Sequence, residues 1–320
     1  MFRLPESWVW DFWLADDGRR YHLFFLYASR DLRGPHARHH RASIGHAASD
    51  DLVTWERLTD ALVRSDAPAF DDLATWTGSI VDHLGTWYMY YTGCTRTADG
   101  IVQRIGLATS TDLMTWEKQP DPVLEADPRW YETLPEGQWG DETFRDPWVF
   151  ADPRRRGWHM LITARANQGP TDDRGVIGHA WSRDLRQWEL RPPITTPGQG
   201  FGHLEVPQYV EVDGERLLIF NCHTPELSRA RREGGATGGV WVAAAAGPVG
   251  PIDVGGADLL LDHHSYAAKV IRVRDTGENV LLCFRNADGA GRFVGELCDP
   301  LPVHATRGRL HFGKRLRHTA

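Results

Sequence analysis

The sequence predicts an all-β fold, a five-bladed β-propeller of four-stranded antiparallel blades. Three observations predict it. The pattern I-G-x-A-x-S-x-D-L-x-x-W-E occurs at 44–56, 105–117 and 177–189, with a worn copy at 239–252. A turn glycine leading an apolar, aromatic run occurs five times, at 18–28, 85–93, 157–165, 214–222 and 277–287. Long helical stretches alternating with strands are absent, which disfavours an α/β arrangement. Repeated units of this kind are single supersecondary elements that bury a core only by stacking on their neighbours.

Each element follows from local chemistry. β-Branched and aromatic residues bounded by Gly and Asp read as strands. The glycine-led run is the second strand of each unit. A shorter first strand precedes it, at 11–16, 78–83, 146–152, 205–212 and 266–273. The I-G-x-A-x-S piece is the third strand, D-L-x-x-W is a turn, and a fourth strand follows. The blades then fall at approximately 8–64, 70–125, 143–197, 203–256 and 262–306, within one domain spanning 1–320. The threefold recurrence of D-L-x-x-W favours structure over binding: the Asp caps a tight turn, and Trp55, Trp116 and Trp188 pack between blades. Segments 126–142 and 226–238 read as long loops.

Hydrophobic residues make up 41% of the 320 residues and charged residues 25%, enough for a sizeable core. A net charge of −7 argues against a nucleic-acid partner and fits a neutral sugar. The locally basic segment 307–318 reads as a solvated tail. Cys94, Cys222, Cys283 and Cys298 form no C-x-x-C pair, so zinc is not expected. No apolar stretch approaches 18 residues, and the N-terminus lacks a basic segment followed by an apolar one. A cytoplasmic protein without a membrane span is expected. The adjacent pairs His39-His40 and His263-His264 invite a metal, but neighbours on a strand face opposite ways, so neither pair is expected to bind one. No cofactor is expected.

In a propeller the first strand of each blade lines the central channel, and its beginning lies at one common end. Those beginnings carry Asp11, Gly78-Ser79, Asp146, Glu205 and Tyr266. Three carboxylic acids at the same point of different repeats, each between apolar neighbours, are costly as structure. Converging acids repel, so one of them should hold a proton near neutral pH. A protonated acid beside an ionised one is what glycosidic cleavage requires, with retention or inversion set by their separation.

At these residues the chain resembles the family-32 glycoside hydrolases, the invertase and fructanase group, their relatives the family-68 levansucrases and, more distantly, family-43 propellers. The resemblance runs through segments 21–29, 44–62 and 75–81, the R-D-P at 145–147, L-E-V-P-Q at 204–208 and Y-A-x-K at 266–269. It implies that Asp11 is the nucleophile, Glu205 the general acid/base and Asp146 the stabiliser of an oxocarbenium-like transition state, helped by Arg145. Arg145 would also keep Asp146 ionised and leave the raised pKa to Glu205. Trp10, Trp13 and Trp76 are candidate stacking walls, and Ser79, His203 and Tyr266 candidate hydroxyl contacts.

The family-32 nucleophile motif W-x-N-D-P-N-G is here Trp10-Asp11-Phe12-Trp13, closer to the W-D-x-W of the levansucrases. The Cys of the E-C-P segment is Val206, and the family-32 C-terminal β-sandwich is not expected. The expected activity is retaining hydrolysis of a terminal β-fructofuranoside, such as sucrose or a short fructo-oligosaccharide. Fructosyl transfer, an inverting arabinofuranosidase or xylosidase, and a non-catalytic sugar-binding propeller stay open.

Overall fold

A computed structural model describes residues 1–134, 137 and 139–313. Five antiparallel sheets follow one another along the chain. Blade 1 holds β1 (Ser7–Asp16), β2 (Tyr21–Ser29), β3 (Ser43–Ser49) and β4 (Glu56–Arg57). Blade 2 holds β5 (Ala74–His83), β6 (Thr86–Arg96), β7 (Ile101–Ser110) and β8 (Glu117–Lys118), and β9 (Asp141–Glu142) adds parallel to β7. Blade 3 holds β10 (Phe144–Ala151), β11 (Trp158–Arg165), β12 (Gly175–Ser182) and β13 (Trp188–Arg191). Blade 4 holds β14 (Glu205–Val212), β15 (Glu215–Cys222), β16 (Gly239–Ala244) and β17 (Asp258–Asp262).

Blade 5 departs from the pattern. It runs β18 (Ser265–Arg272), β19 (Asn279–Ala287), β20 (Phe293–Leu297), β21 (Leu301–Thr306) and β22 (Arg309–Phe312). Its third strand is broken, so that β20 and β21 pair with successive parts of β19. The first strands close a ring: β1 touches β5 and β18, β10 touches β5 and β14, and β14 touches β18. The N-terminus seals it, because Leu297 N–H donates to the Phe2 carbonyl at 2.9 Å. Among the described residues no helix is long and apolar enough to cross a membrane.

The repeat is explained by its contacts. Asp51, Asp112 and Asp184 each accept two backbone N–H groups of the following turn at 2.7–2.9 Å. The Leu after each Asp is left-handed, with φ of 63–64°. Trp116 meets Phe24 of blade 1 edge-on at 5.7 Å, and Trp188 meets Tyr90 of blade 2 at 5.3 Å. Trp55 meets Phe2 at 6.4 Å. Each tryptophan thus packs on the preceding member of the ring. The glycine of I-G-x-A gives room to an aromatic ring, since a Cβ on Gly45 or Gly106 would stand 2.6 Å from Phe25 or Tyr91.

Three details differ from the sequence reading. The fourth strand of blade 4 lies at Asp258–Asp262, past the 203–256 suggested by the repeats, because its connection from β16 is long. Segment 226–238 carries a short helix, α1 (Arg229–Glu233). The basic tail begins as strand β22, and its residues from 314 onward lie outside the described residues.

Candidate active site

All five first strands carry a β-bulge at corresponding places. The register shifts lie between Val9 and Phe12, Trp76 and Gly78, Arg145 and Trp148, Glu205 and Gln208, and Tyr266 and Lys269. A bulge unpairs backbone and re-aims side chains. Here it staggers the acids: Asp11 and Asp146 lie within their bulges, whereas Glu205 is the paired residue just before one. The three do not occupy a single equivalent position, and Asp11 lies in mid-strand, not at its start.

The bulge residues Asp146, Val206 and Ala267 have φ of 56°, 50° and 49°. For a β-branched residue such as Val206 this is a strained conformation. It turns the Val206 N–H toward Asp146 Oδ2, 3.1 Å away. Thr163 Oγ1 donates to the same oxygen at 2.8 Å. Buried Lys269 donates to the carbonyls of Val206 and Pro207 at 3.2 Å and clamps the bulge from below. Burial draws the Lys269 ammonium down to about 7.

Asp11, Asp146 and Glu205 line one cavity of about 970 Å³ with Trp10, Trp76, Arg145, His203 and Tyr266. Thr77 Oγ1 donates to Asp11 Oδ2 at 2.5 Å. Arg145 Nη2 donates to Glu205 Oε1 at 2.5 Å, and its Nε stands 3.6 Å from Asp146 Oδ2. The Tyr266 hydroxyl donates to Glu205 Oε2, and its ring stacks on His223 at 4.0 Å. Gln103 orients the guanidinium, accepting from Arg145 Nη1 at 3.2 Å.

The ionisation pattern differs from the sequence expectation. The raised acid was assigned to Glu205, with Arg145 serving Asp146; in the structure the guanidinium makes its short bond to Glu205. Burial and then the charge of Asp146 lift Asp11 to about 7. Burial also raises Asp146, against the pull of Arg145.

Two predicted contacts do not reach the cavity. Trp13 is 1% exposed and stacks on Phe24 inside the blade. Ser79 is 2% exposed, and its Oγ accepts from Val149 N–H at 3.0 Å. Strict alternation would put Trp13 on the face of Asp11 and Ser79 on that of Thr77, and the bulges at 10–11 and 77 break that alternation.

Other cavity residues escaped the sequence reading: Thr77, Arg38, Trp139, Asp141, His223 and Glu226. Thr77 adjoins a predicted residue. Asp141 stands on β9 and the others on connections outside the repeat; Trp139 and Asp141 fall in 126–142, which the sequence marks as a long loop. His39, read as half of a paired histidine, also lines the cavity.

The metal reading changes in one respect. His263 and His264 occupy the turn between β17 and β18, so with Asp262 they present ligand atoms within 4.8 Å of one another. His203, Glu205 and Glu226 do the same in the cavity, but Arg145 already supplies a cation there, 3.1 Å from His203 Nδ1.

The chain matches the family profile described as glycosyl hydrolases family 32 N-terminal domain over residues 14–284. It belongs to that family. The matched span includes Asp146, Glu205 and Tyr266 and begins just after Asp11, where this chain has its divergent W-D-x-W. The sucrose-6-phosphate hydrolase of Bacillus subtilis (strain 168) is 31% identical over 206 residues, covering 62% of this chain and 38% of that protein. The enzyme of the same name from Zymomonas mobilis is 26% identical over 279 residues, covering 82% and 50%. The chain thus spans at most about half the length of these relatives.

Among solved structures, the inulosucrase of Halalkalicoccus jeotgali bound to kestose superposes with a TM-score of 0.79 at 24% identity, covering 97% of this chain and 87% of that one. A family-32 β-fructofuranosidase of Bombyx mori gives 0.73 at 18% identity, covering 98% and 64%. Likeness at this level concerns the fold: the same propeller serves both.

Proposed function

We propose that this family-32 chain hydrolyses terminal β-fructofuranosides, sucrose or short fructo-oligosaccharides, with retention, the propeller being its catalytic unit. One observation carries the reading: acids from three blades line one cavity, and two of them, Asp146 and Glu205, are joined through Arg145. Asp11 is the nucleophile. Thr77 occupies its Oδ2 and leaves Oδ1 to attack the anomeric carbon. Glu205 protonates the departing oxygen, then takes a proton from the water that cleaves the covalent fructosyl-enzyme. Asp146, fixed by Thr163 and Val206, holds ring hydroxyls as positive charge develops.

Burial and the neighbouring charge of Asp146 raise Asp11 to about 7, so the nucleophile becomes ionised and able to attack as pH rises through that value. Trp10, Trp76 and Trp139 give apolar walls for the C–H faces of a sugar.

The test is a product screen across sucrose, inulin-type and levan-type oligosaccharides, arabinofuranosides and xylosides. Release of fructose is expected. Release of arabinose or xylose alone, chain-lengthened products in place of free fructose, or tight sugar binding without turnover would each replace this reading by the corresponding alternative.

A further inference from the structure

Two thiols meet where the third strand of blade 5 breaks. The β19–β20 ladder pairs Phe284 with Leu297. One step further Cys283 stands opposite Cys298, whose N–H donates to the Cys283 carbonyl at 2.9 Å. A regular ladder would return a bond from the Cys283 N–H to the Cys298 carbonyl. Here the Cys298 side chain takes that place: its Sγ accepts the Cys283 N–H at 3.1 Å and lies 3.0 Å from Cys283 Sγ. Both cysteines are free. A disulfide is about 2.05 Å long, so roughly 1 Å of approach between the two sulfurs completes the bond.

The pair suits sequential thiol chemistry. Cys298 is half-buried and Cys283 only 2% exposed, so a reagent meets Cys298 first. The Cys283 thiol, donating to Cys298, draws that thiol below its ordinary value against the effect of burial. A lowered pKa at a reachable sulfur favours attack, and a second sulfur beside it resolves the product.

The position ties this chemistry to the cavity. The residues between the two cysteines form the β19–β20 hairpin, of which Phe284, Asn286, Arg292 and Phe293 line the cavity. The Phe284 ring meets Tyr266, the partner of Glu205, edge-on at 5.9 Å. Beside the break, Leu297 N–H donates to the Phe2 carbonyl, and Asp299 accepts from the N-terminal ammonium. Because β20 and β21 engage β19 separately, no continuous third strand holds the hairpin in place.

We infer that Cys283 and Cys298 are an oxidation site, a dithiol that closes to a disulfide and then restrains the hairpin forming one wall of the cavity. The oxidant is a low-molecular-weight disulfide. The Cys298 thiolate attacks one of its sulfurs and expels a first thiol. The Cys283 sulfur then attacks Cys298 in the mixed disulfide and expels the second. The two protein thiols together lose two electrons and two protons, and the reagent is reduced to two thiols. In reducing surroundings the pair stays open, so the restraint follows the redox conditions. Nothing in this chemistry depends on which sugar the cavity takes.

The experiment treats the folded wild type with excess oxidised glutathione at room temperature, blocks free thiols and maps the protein with trypsin without reduction. The expected product joins peptide 275–285 to peptide 293–307, lighter by two hydrogens than their sum, while Cys94 and Cys222 stay unmodified. Dithiothreitol should reverse it. Amide hydrogen exchange across 293–297 should slow roughly threefold or more on oxidation, and Cys298→Ser treated alike should show no change. If Cys298→Ser does not fold, the wild type held in dithiothreitol supplies the comparison. Thiols that stay free, or glutathione retained on Cys298 without the cross-link, overturn the inference. A cross-link that leaves exchange across 293–297 unchanged overturns it as well.

Discussion

Arg145 binds Glu205 through Nη2 at 2.5 Å while its Nε faces Asp146 at 3.6 Å, so one guanidinium spans acids from two blades. Breaking a buried ion pair leaves an uncompensated charge and costs about 3–5 kcal/mol. Arg145→Leu should lose stability on that scale at pH 7 and less at pH 4, where the stranded carboxyls can take protons. Urea unfolding at both pH values measures this. Adding Glu205→Gln should recover part of the loss, the non-additivity expected of groups in contact.

Asp11, lifted to about 7, sets the acid limb of activity. Below that pH it is protonated and cannot attack, so kcat/KM should rise with pH through about 7, the apparent pKa belonging to the coupled acids. Stability runs the other way. Between the ordinary aspartate value and about 7 the folded protein holds a proton that the unfolded chain releases, so this group's contribution to stability falls as pH rises. Asp11→Asn should abolish turnover while raising unfolding stability by roughly 1–4 kcal/mol more at pH 8 than at pH 4. A variant destabilised equally at both pH values would show that Asp11 is structural.

Two buried histidine pairs make the fold acid-sensitive. His22 Nδ1 lies 2.8 Å from His46 Nε2, and His159 Nδ1 lies 3.0 Å from His179 Nε2, each pair ending on an aspartate, Asp17 or Asp152. Burial draws His46 and His179 down to about 3. The unfolded chain binds those protons near pH 6.5, so stability is lost as pH falls from about 6.5 toward 3. Blade 2 carries Leu107 at the corresponding place of its I-G-x-A repeat. The double variant His46→Leu, His179→Leu should therefore lose roughly 1–4 kcal/mol less than the wild type between pH 7 and pH 4, read from urea midpoints.

Trp116 packs edge-on against Phe24 of the preceding blade, and its Nε1 donates to the Leu113 carbonyl at 3.1 Å. Trp116→Ala should destabilise by roughly 3–5 kcal/mol while the folded fraction keeps its kcat. A stable but inactive variant would move D-L-x-x-W from structure to function.

The propeller was legible because its signals are local and repeated: capped turns, glycines that admit a ring, and tryptophans on neighbouring blades. Blade 5, without D-L-x-x-W, was recognised only by its first two strands, and nothing local announced the break between β20 and β21. The acids were legible as charges set among apolar residues. Trp13 and Ser79 were misplaced because a bulge changes which face each later residue takes, and bulges leave little trace in a strand's composition. Arg38, His223 and Glu226 were missed because they reach the cavity from connections whose paths depend on tertiary packing.

The attack of Asp11 is tested most directly by trapping the fructosyl group with methanol during sucrose cleavage and reading the anomeric carbon by 13C NMR, since a methyl glycoside cannot mutarotate as free fructose does. The account predicts methyl β-fructofuranoside, formed by two inversions through a covalent intermediate on Asp11. Methyl α-fructofuranoside as the initial product would contradict it.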